Sequence, residues 1–299
     1  IFKIGRNFCK LNFISNIFSS CLGSLLALVA LILIGSAIGA VFVKESTEGA
    51  SVLEDSILKL DLSGPIPEQS NNVPMDFASF KNETTIGLRD LVKTIDKASK
   101  DPKIKGIYIP DQNMQSGYAT LNEIRNALLR FKDQGKFIIA YAYSLNHKNY
   151  YIQSTADQII FHPLGFIDLR GFSLSVPHFK ELTDKLGIDF NIYYAGEFKS
   201  ATEPFRMNKM SDNNRLQLRE YLNDILSEYI KEIAASRKIE PEELKLNFDQ
   251  FLSYTPDLAK QHSIIDEIGS ETDALNIIRK QLKLEENSRL LDCHLRQYV

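Results

Sequence analysis

After residue 55, the chain alternates between two patterns of apolar residues. Ser56–Leu62 alternates apolar and polar positions as a strand does, and Gly87–Lys100 carries its apolar residues at helical spacing. The other predicted strands are Ile104–Ile109, Phe137–Tyr143, Gln158–Phe161 and Ile188–Tyr194. The other predicted helices are Tyr118–Lys132, Asn149–Ala156, Pro177–Leu186, Met210–Arg237, Pro241–Phe248, Pro256–Gln261 and Thr272–Leu284. This alternation predicts an α/β domain built from βα units with a largely parallel sheet.

The N-terminal region carries one long apolar segment. Cys21–Val43 has no charged residue over 23 positions, which is enough for one transmembrane helix. Lys3, Arg6 and Lys10 precede it, so the positive-inside rule places the N-terminus in the cytoplasm and the large domain on the exported, periplasmic side of the inner (plasma) membrane. The alternative is a cleaved signal peptide, although the apolar segment is longer and starts later than is usual for one.

Five segments follow from these patterns. We predict a cytoplasmic N-terminus at residues 1–20, a single transmembrane helix at 21–43 and a polar linker at 44–55. Residues 56–285 form the α/β domain, and residues 286–299 are a tail or the start of a connection to a further domain.

Composition excludes several classes of protein. A chain of 299 residues with 44% hydrophobic content can bury one sizeable core. The net charge of −3, without a basic stripe, argues against a nucleic-acid partner. Three cysteines do not form a disulfide framework, and five scattered histidines do not show metal-ligand spacing. We therefore expect no metal and no other cofactor.

Lys199 is the candidate catalytic residue. A lysine can accept a proton from a serine only when it is neutral, and its ordinary pKa of about 10.4 must fall by desolvation for that to occur near pH 7. Phe198 and Phe205 are the expected dehydrating neighbours. The alternative is a solvated, charged lysine paired with Glu203, although Pro204 disfavours the helical geometry that this pair would need.

The segment Phe198–Phe205, followed by Met210–Ser211, resembles the lysine motif of the signal peptide peptidase A family, also called protease IV, in its long two-domain form. The resemblance extends over residues 56–285 and includes Gly106–Ile109, Tyr150–Ile152 and Ile159–Gly171. It implies a crotonase/Clp-protease-like fold with repeated ββα/βα units. It also implies a serine endopeptidase in which Lys199 is the general base of a Ser-Lys dyad. The implied substrates are signal peptides and other apolar extended peptides, and the implied assembly is a homo-oligomer at the membrane.

The resemblance also implies where the nucleophile lies. In the family's serine-bearing domain, the serine lies among small residues just before an aromatic pair. Here the residue nearest that position is His147, ahead of Tyr150 and Tyr151. Ser144 lies three residues too early, and Ser116 has the setting of a turn serine. This chain therefore resembles the N-terminal, lysine-bearing half, with the nucleophile on a second domain.

Two other functions remain compatible with the sequence. A catalytically inactive membrane scaffold or adaptor would keep the fold and retain Lys199 without a catalytic role. An acyl-coenzyme A enzyme of the crotonase type would share the fold, but its cytoplasmic cofactor fits poorly with an exported domain.

Overall fold

The computed structural model describes residues 23, 25–34, 52–70, 85–285, 288–294 and 298. The chain divides into two compact units, Ile1–Ser51 and Val52–Val299, so the boundary lies in the predicted linker. In the first unit, residues 25–34 form a helix (α1) with exposed side chains. None of the described helices combines the length and apolar character needed to cross a bilayer. The predicted transmembrane segment, Cys21–Val43, lies partly outside the described residues.

The second unit has an α/β architecture. Its strands are β1 (Ser56–Lys59), β2 (Ile104–Ile109), β3 (Phe137–Asn146), β4 (Gln158–Asp168), β5 (Glu267–Ile268) and β6 (Asp292–His294). Its helices are α2 (Leu88–Lys100), α3 (Tyr118–Asp133), α4 (His147–Gln153), α5 (Lys180–Lys185), α6 (Glu203–Arg206), α7 (Asp212–Arg237), α8 (Pro241–Gln250), α9 (Pro256–Gln261) and α10 (Glu271–Gln281).

The described strands form one sheet in the order β5-β4-β3-β2-β1-β6, and every adjacent pair is parallel. The predicted α/β class and parallel sheet are confirmed. β6 lies within residues 286–299, the segment predicted as a tail or connection, and it pairs with the outer edge of β1.

The two faces of the sheet bury different amounts of apolar surface. Side chains on neighbouring positions of a strand point to opposite faces, so Leu58 and Ile57 belong to different clusters. The face with Leu58 packs against α2, α3, α4 and α7 and forms the main core. The face with Ile57 packs against α10, through Ala274 and Ile278, and forms a smaller cluster.

The predicted strand Ile188–Tyr194 is wrong, because the structure shows no regular element there. Most of its apolar side chains are exposed, among them Tyr193 by 94% and Tyr194 by 56%. A strand needs a neighbour to satisfy its backbone groups, and no strand of the described sheet pairs with this segment. The apolar residues of Ile188–Tyr194 predicted a buried strand, but no described strand lies beside them to bury it.

Strand β4 continues to Asp168, well beyond the predicted end at Phe161. Its pairing with β3 changes register, from Ala142 opposite Phe161 to Ser144 opposite Phe166. Gly165 lies in the irregular part, where a Cβ atom would come within 2.7 Å of the Tyr143 carbonyl oxygen. Glycine is therefore required for the strands to stay close, and the strand resumes beyond it.

Candidate active site

Lys199 lies in the loop that leads into α6, and its side chain is exposed to solvent. The loop turns at Gly196, with φ of 96°, and the Lys199 N–H donates to the Gly196 carbonyl oxygen at 3.3 Å. Phe198 is 52% exposed and Phe205 is 38% exposed. The expected dehydration of Lys199 by these two rings is not achieved within the described chain.

Glu203 is buried and holds this loop against the start of α7. Ser211, the N-cap of α7, donates its hydroxyl to Glu203 Oε1 at 2.5 Å and its N–H to Oε2 at 3.2 Å. Asn214 Nδ2 donates to Oε2 at 2.9 Å, and Arg206 lies 3.7 Å from Oε1. Burial would raise the pKa of Glu203, but the hydrogen bonds from Ser211 and Asn214 outweigh it and hold the pKa below its ordinary value.

The alternative pairing of Lys199 with Glu203 is therefore absent, because the Glu203 carboxylate is bound elsewhere. The reason lies in tertiary contacts and not in Pro204. Glu203 is the first residue of α6, and Pro204 occupies a first-turn position of that helix, where a backbone N–H is not needed.

His147 begins α4, at the place that the resemblance assigns to a nucleophile. The Asn146 side chain caps this helix by accepting the Asn149 N–H at 3.0 Å. The imidazole packs edge-on against Phe172 and Tyr229, with centroids at 4.9 and 5.5 Å. Its buried Nδ1 has no hydrogen-bond partner within the described part of the chain. Burial lowers the pKa of His147 to about 4, even though Asp168 and the Arg170 backbone partly oppose the shift.

A cleft of about 590 Å³ opens beside His147. An ion pair between Arg170 Nε and Asp168 Oδ1, at 2.5 Å, lies on one side, and Tyr118 and Tyr221 contribute aromatic surface. The cleft has the size of a small-molecule or peptide side-chain site, but a neutral imidazole stands where the resemblance places a hydroxyl nucleophile.

We expect His147 to make the protein less stable in mild acid. Because the folded pKa of about 4 lies below the unfolded value of 6.5, the unfolded imidazole binds a proton between these values and the folded one does not. The contribution of His147 to the free energy of unfolding is therefore fully present above pH 6.5. It falls by about 2–3 kcal/mol as the pH drops toward 4. His147→Phe should remove this component. Urea unfolding of both proteins at several pH values measures it, and parallel pH profiles would contradict the assignment.

The two serines considered as nucleophiles, Ser116 and Ser144, each form a hydrogen bond with a distant part of the chain. Ser116 is buried, and its Oγ accepts the N–H of Ile66, 50 residues earlier in the chain, at 3.0 Å. The Ser144 N–H donates to Asp111 Oδ1 at 3.0 Å. Within the described ranges, neither a hydrogen bond nor an ion pair connects Lys199 to either serine or to His147, so the structure does not assemble a Ser-Lys dyad from these residues.

Arg125 was not singled out from the sequence, yet it is fully buried and joins three helices. It donates to the Tyr151 carbonyl oxygen at 2.5 Å and to Ser154 Oγ at 2.8 Å, both near the end of α4. On α7 it reaches Glu232 Oε2 at 3.1 Å and Ser236 Oγ at 2.5 Å. The available signal was its position, one residue after Ile124 and four after Leu121, on the buried stripe of α3.

The chain matches the family model described as peptidase family S49 over residues 130–285, which is more than half of its length. It is 33% identical over 193 residues to Protease 4 of Haemophilus influenzae, covering 62% of this chain and 31% of the relative. It is 30% identical over 215 residues to Protease 4 of Salmonella typhi, covering 68% and 35%. It is 24% identical over 247 residues to the chloroplastic serine protease SPPA of Arabidopsis thaliana, covering 83% and 35%.

The chain thus spans about a third of the length of these three relatives. The family match includes Lys199, since it runs from α3 to beyond α10. The chain belongs to peptidase family S49, the family of the signal peptide peptidase A (protease IV) proteins.

Proposed function

We propose that this chain is the lysine-bearing part of a membrane-anchored serine endopeptidase that digests released signal peptides and other apolar, extended peptides. Lys199 is the general base of its Ser-Lys dyad, and the nucleophile comes from a second domain or another chain of a homo-oligomer. The protein is a single-pass inner-membrane protein, with the catalytic domain on the periplasmic side.

One observation carries this proposal: Lys199 is exposed while the residue that fixes its loop, Glu203, is almost completely buried. Three hydrogen bonds from Ser211 and Asn214 and one ion pair with Arg206 hold the Glu203 carboxylate, so the base is presented from a firmly attached loop. A lysine held this way can meet a group that arrives from outside the described chain.

The surroundings of Lys199 suit coverage by such a partner. Exposed aromatic surface lies within six residues of Lys199 in the chain, at Tyr193, Tyr194 and Phe198, and the Arg206 guanidinium lies over the Tyr194 ring, 3.9 Å from its centroid. Burial of this surface would remove water from around the lysine, and desolvation lowers the pKa of an ammonium group. The partner that brings the serine would thereby also create the neutral base that the reaction needs.

The chemistry proceeds through an acyl-enzyme. The serine Oγ bonds to the scissile carbonyl carbon as its proton passes to Lys199 Nζ. Collapse of the tetrahedral intermediate breaks the C–N bond, and Nζ returns the proton to the leaving amine. A water molecule then attacks the ester, again giving its proton to Nζ, and the serine is released with its hydroxyl proton restored.

A fluorophosphonate probe, which reacts with activated serines, tests the proposal on the full-length protein in detergent. We expect one labelled serine outside residues 52–294, together with cleavage of a synthetic signal peptide that labelling abolishes. Ser144→Ala and Ser116→Ala are matched controls that should label normally. Labelling of Ser144 or Ser116 in the wild type would overturn the division of roles proposed here.

An inactive membrane scaffold of the same fold is the second candidate. The observation that favours it is His147 at the expected nucleophile position, with a buried aromatic environment in place of a reactive hydroxyl. A full-length protein that neither labels nor cleaves the signal peptide, while remaining folded and membrane-bound, would support the scaffold over the peptidase.

A further inference from the structure

A cavity of about 170 Å³ lies on the α10 face of the sheet, away from Lys199 and from the His147 cleft. It exists because α10 packs mainly on β3 and β4, whereas the sheet continues through β2 and β1 to β6. A single helix of 11 residues cannot cover a sheet of that width. The strands beyond it therefore form the floor of an open pocket.

The interior of this cavity is apolar. Ile57 on β1 forms part of the floor, Leu275 and Ile278 on α10 form one wall, and Leu290 forms the other. The volume is similar to the roughly 150 Å³ of an engineered apolar cavity that binds benzene. A ligand that fills it has a compact hydrocarbon part of about five or six carbons.

The cavity lining also includes a cation, Lys59. Lys59 shares a strand face with Ile57, two residues away, and lies opposite Tyr108 in the register of β1 and β2. Across the residues that the structure describes, Lys59 is half-buried and its ammonium group has neither an ion-pair nor a hydrogen-bond partner. Glu271 lies nearby, but its Oε1 accepts the Tyr108 hydroxyl at 2.8 Å.

The cavity lining also includes one charge of each sign, at Arg279 and Asp292. Arg279 is held by Asn276 Oδ1 at 2.6 Å and by the Ser288 carbonyl oxygen at 3.0 Å, and Asp292 lines the cavity beside it. Since Arg279 is already held and Glu271 already accepts a hydrogen bond, Lys59 is the charged group best placed to take a new partner. An anion is the complementary ligand group.

We propose that this cavity binds a small branched aliphatic carboxylate. Its carboxylate lies against Lys59, and its hydrocarbon part packs on Ile57, Leu275 and Ile278. The cavity is separate from the proposed peptidase site, so ligand binding there can be tested independently of peptidase activity.

Titration calorimetry on the full-length protein with 4-methylpentanoate as the probe tests this site. The matched ligand is 4-methylpentanamide, which keeps the shape and removes the charge. We expect the acid to bind at one site per chain and the amide to bind roughly tenfold more weakly, because a charge-assisted hydrogen bond is lost. Equal affinities, or no binding of the acid at millimolar concentration, would overturn the proposal.

Two variants assign the binding to the cavity. Lys59→Met should reduce the affinity for the acid to that of the amide and leave the amide unchanged, whereas Lys100→Met, at an exposed lysine of α2, should change neither. Leu275→Trp should fill the cavity and abolish binding of both ligands while thermal unfolding confirms a folded protein. Unchanged acid binding in Lys59→Met or Leu275→Trp would place the ligand elsewhere and refute the site.

Discussion

Replacing Lys199 with alanine in the full-length protein is expected to lower kcat/KM for an apolar peptide by at least about 10³-fold. The loss should lie in kcat, because the base acts on the proton of the nucleophile and contributes little to holding the peptide. Lys199→Arg should be equally inactive, since a guanidinium stays protonated and cannot accept that proton. A fluorogenic peptide assay, with full progress curves for KM and kcat, measures the effect.

The matched control is Lys209→Ala, which removes another exposed lysine from the segment between α6 and α7. It should retain activity close to that of the wild type, which separates a specific loss of the base from a change in surface charge. Full activity of Lys199→Ala would eliminate the dyad. Full activity of Lys199→Arg would show that position 199 needs a positive charge and not a base.

Replacing Arg125 with methionine is expected to destabilise the second unit by about 3–5 kcal/mol. Methionine keeps much of the apolar stem but removes every donor, so the Ser236 hydroxyl loses its bond to Arg125, and the Tyr151 carbonyl oxygen and the Ser154 hydroxyl keep only their bond to each other at 3.1 Å. Unsatisfied buried acceptors carry a full desolvation cost, and the Glu232 carboxylate also loses its counter-charge. Urea unfolding monitored by circular dichroism gives the free energy.

Arg130→Met provides the comparison within the same helix. Arg130 makes two hydrogen bonds to Asp96 at 3.1 Å, but its side chain is 49% exposed and that of Asp96 is 40% exposed. Exposed pairs of this kind contribute about 0–1 kcal/mol, so this variant should unfold almost like the wild type. Similar decreases in the free energy of unfolding of the two variants would show that the buried hydrogen bonds of Arg125 stabilise the fold no more than an exposed ion pair.

The region from β1 to α4 was predictable because burial there follows the chain's own periodicity. Leu121, Ile124 and Leu128 recur at helical spacing and all lie in the core, as the pattern requires. Arg125 was overlooked because a charged residue is expected to face solvent, and only its hydrogen-bond partners, distant in sequence, explain its burial. β6 was missed because Asp292–His294 is short and mostly polar, and it becomes a strand only by pairing with β1.

The candidate site, too, was only partly predictable from the sequence. Lys199 was identified from its neighbours in the sequence; the family match covers its position, and its catalytic role stays a prediction. Its solvent exposure and the role of Glu203 could not be found that way, because both depend on where α7 begins relative to the loop. Likewise, the apolar residues of Ile188–Tyr194 suggested a strand, although the surface they form has no partner among the described strands.

The pairing of β6 with β1 has a consequence for synthesis on the ribosome. The two strands stand at opposite ends of the second unit in sequence but side by side in the sheet. The edge of β1 therefore stays open until nearly the whole unit has emerged from the exit tunnel. During that interval its free backbone groups can pair with other chains, and contacts this distant in sequence form slowly. We therefore expect the nascent protein to be most prone to aggregation before β6 pairs with β1.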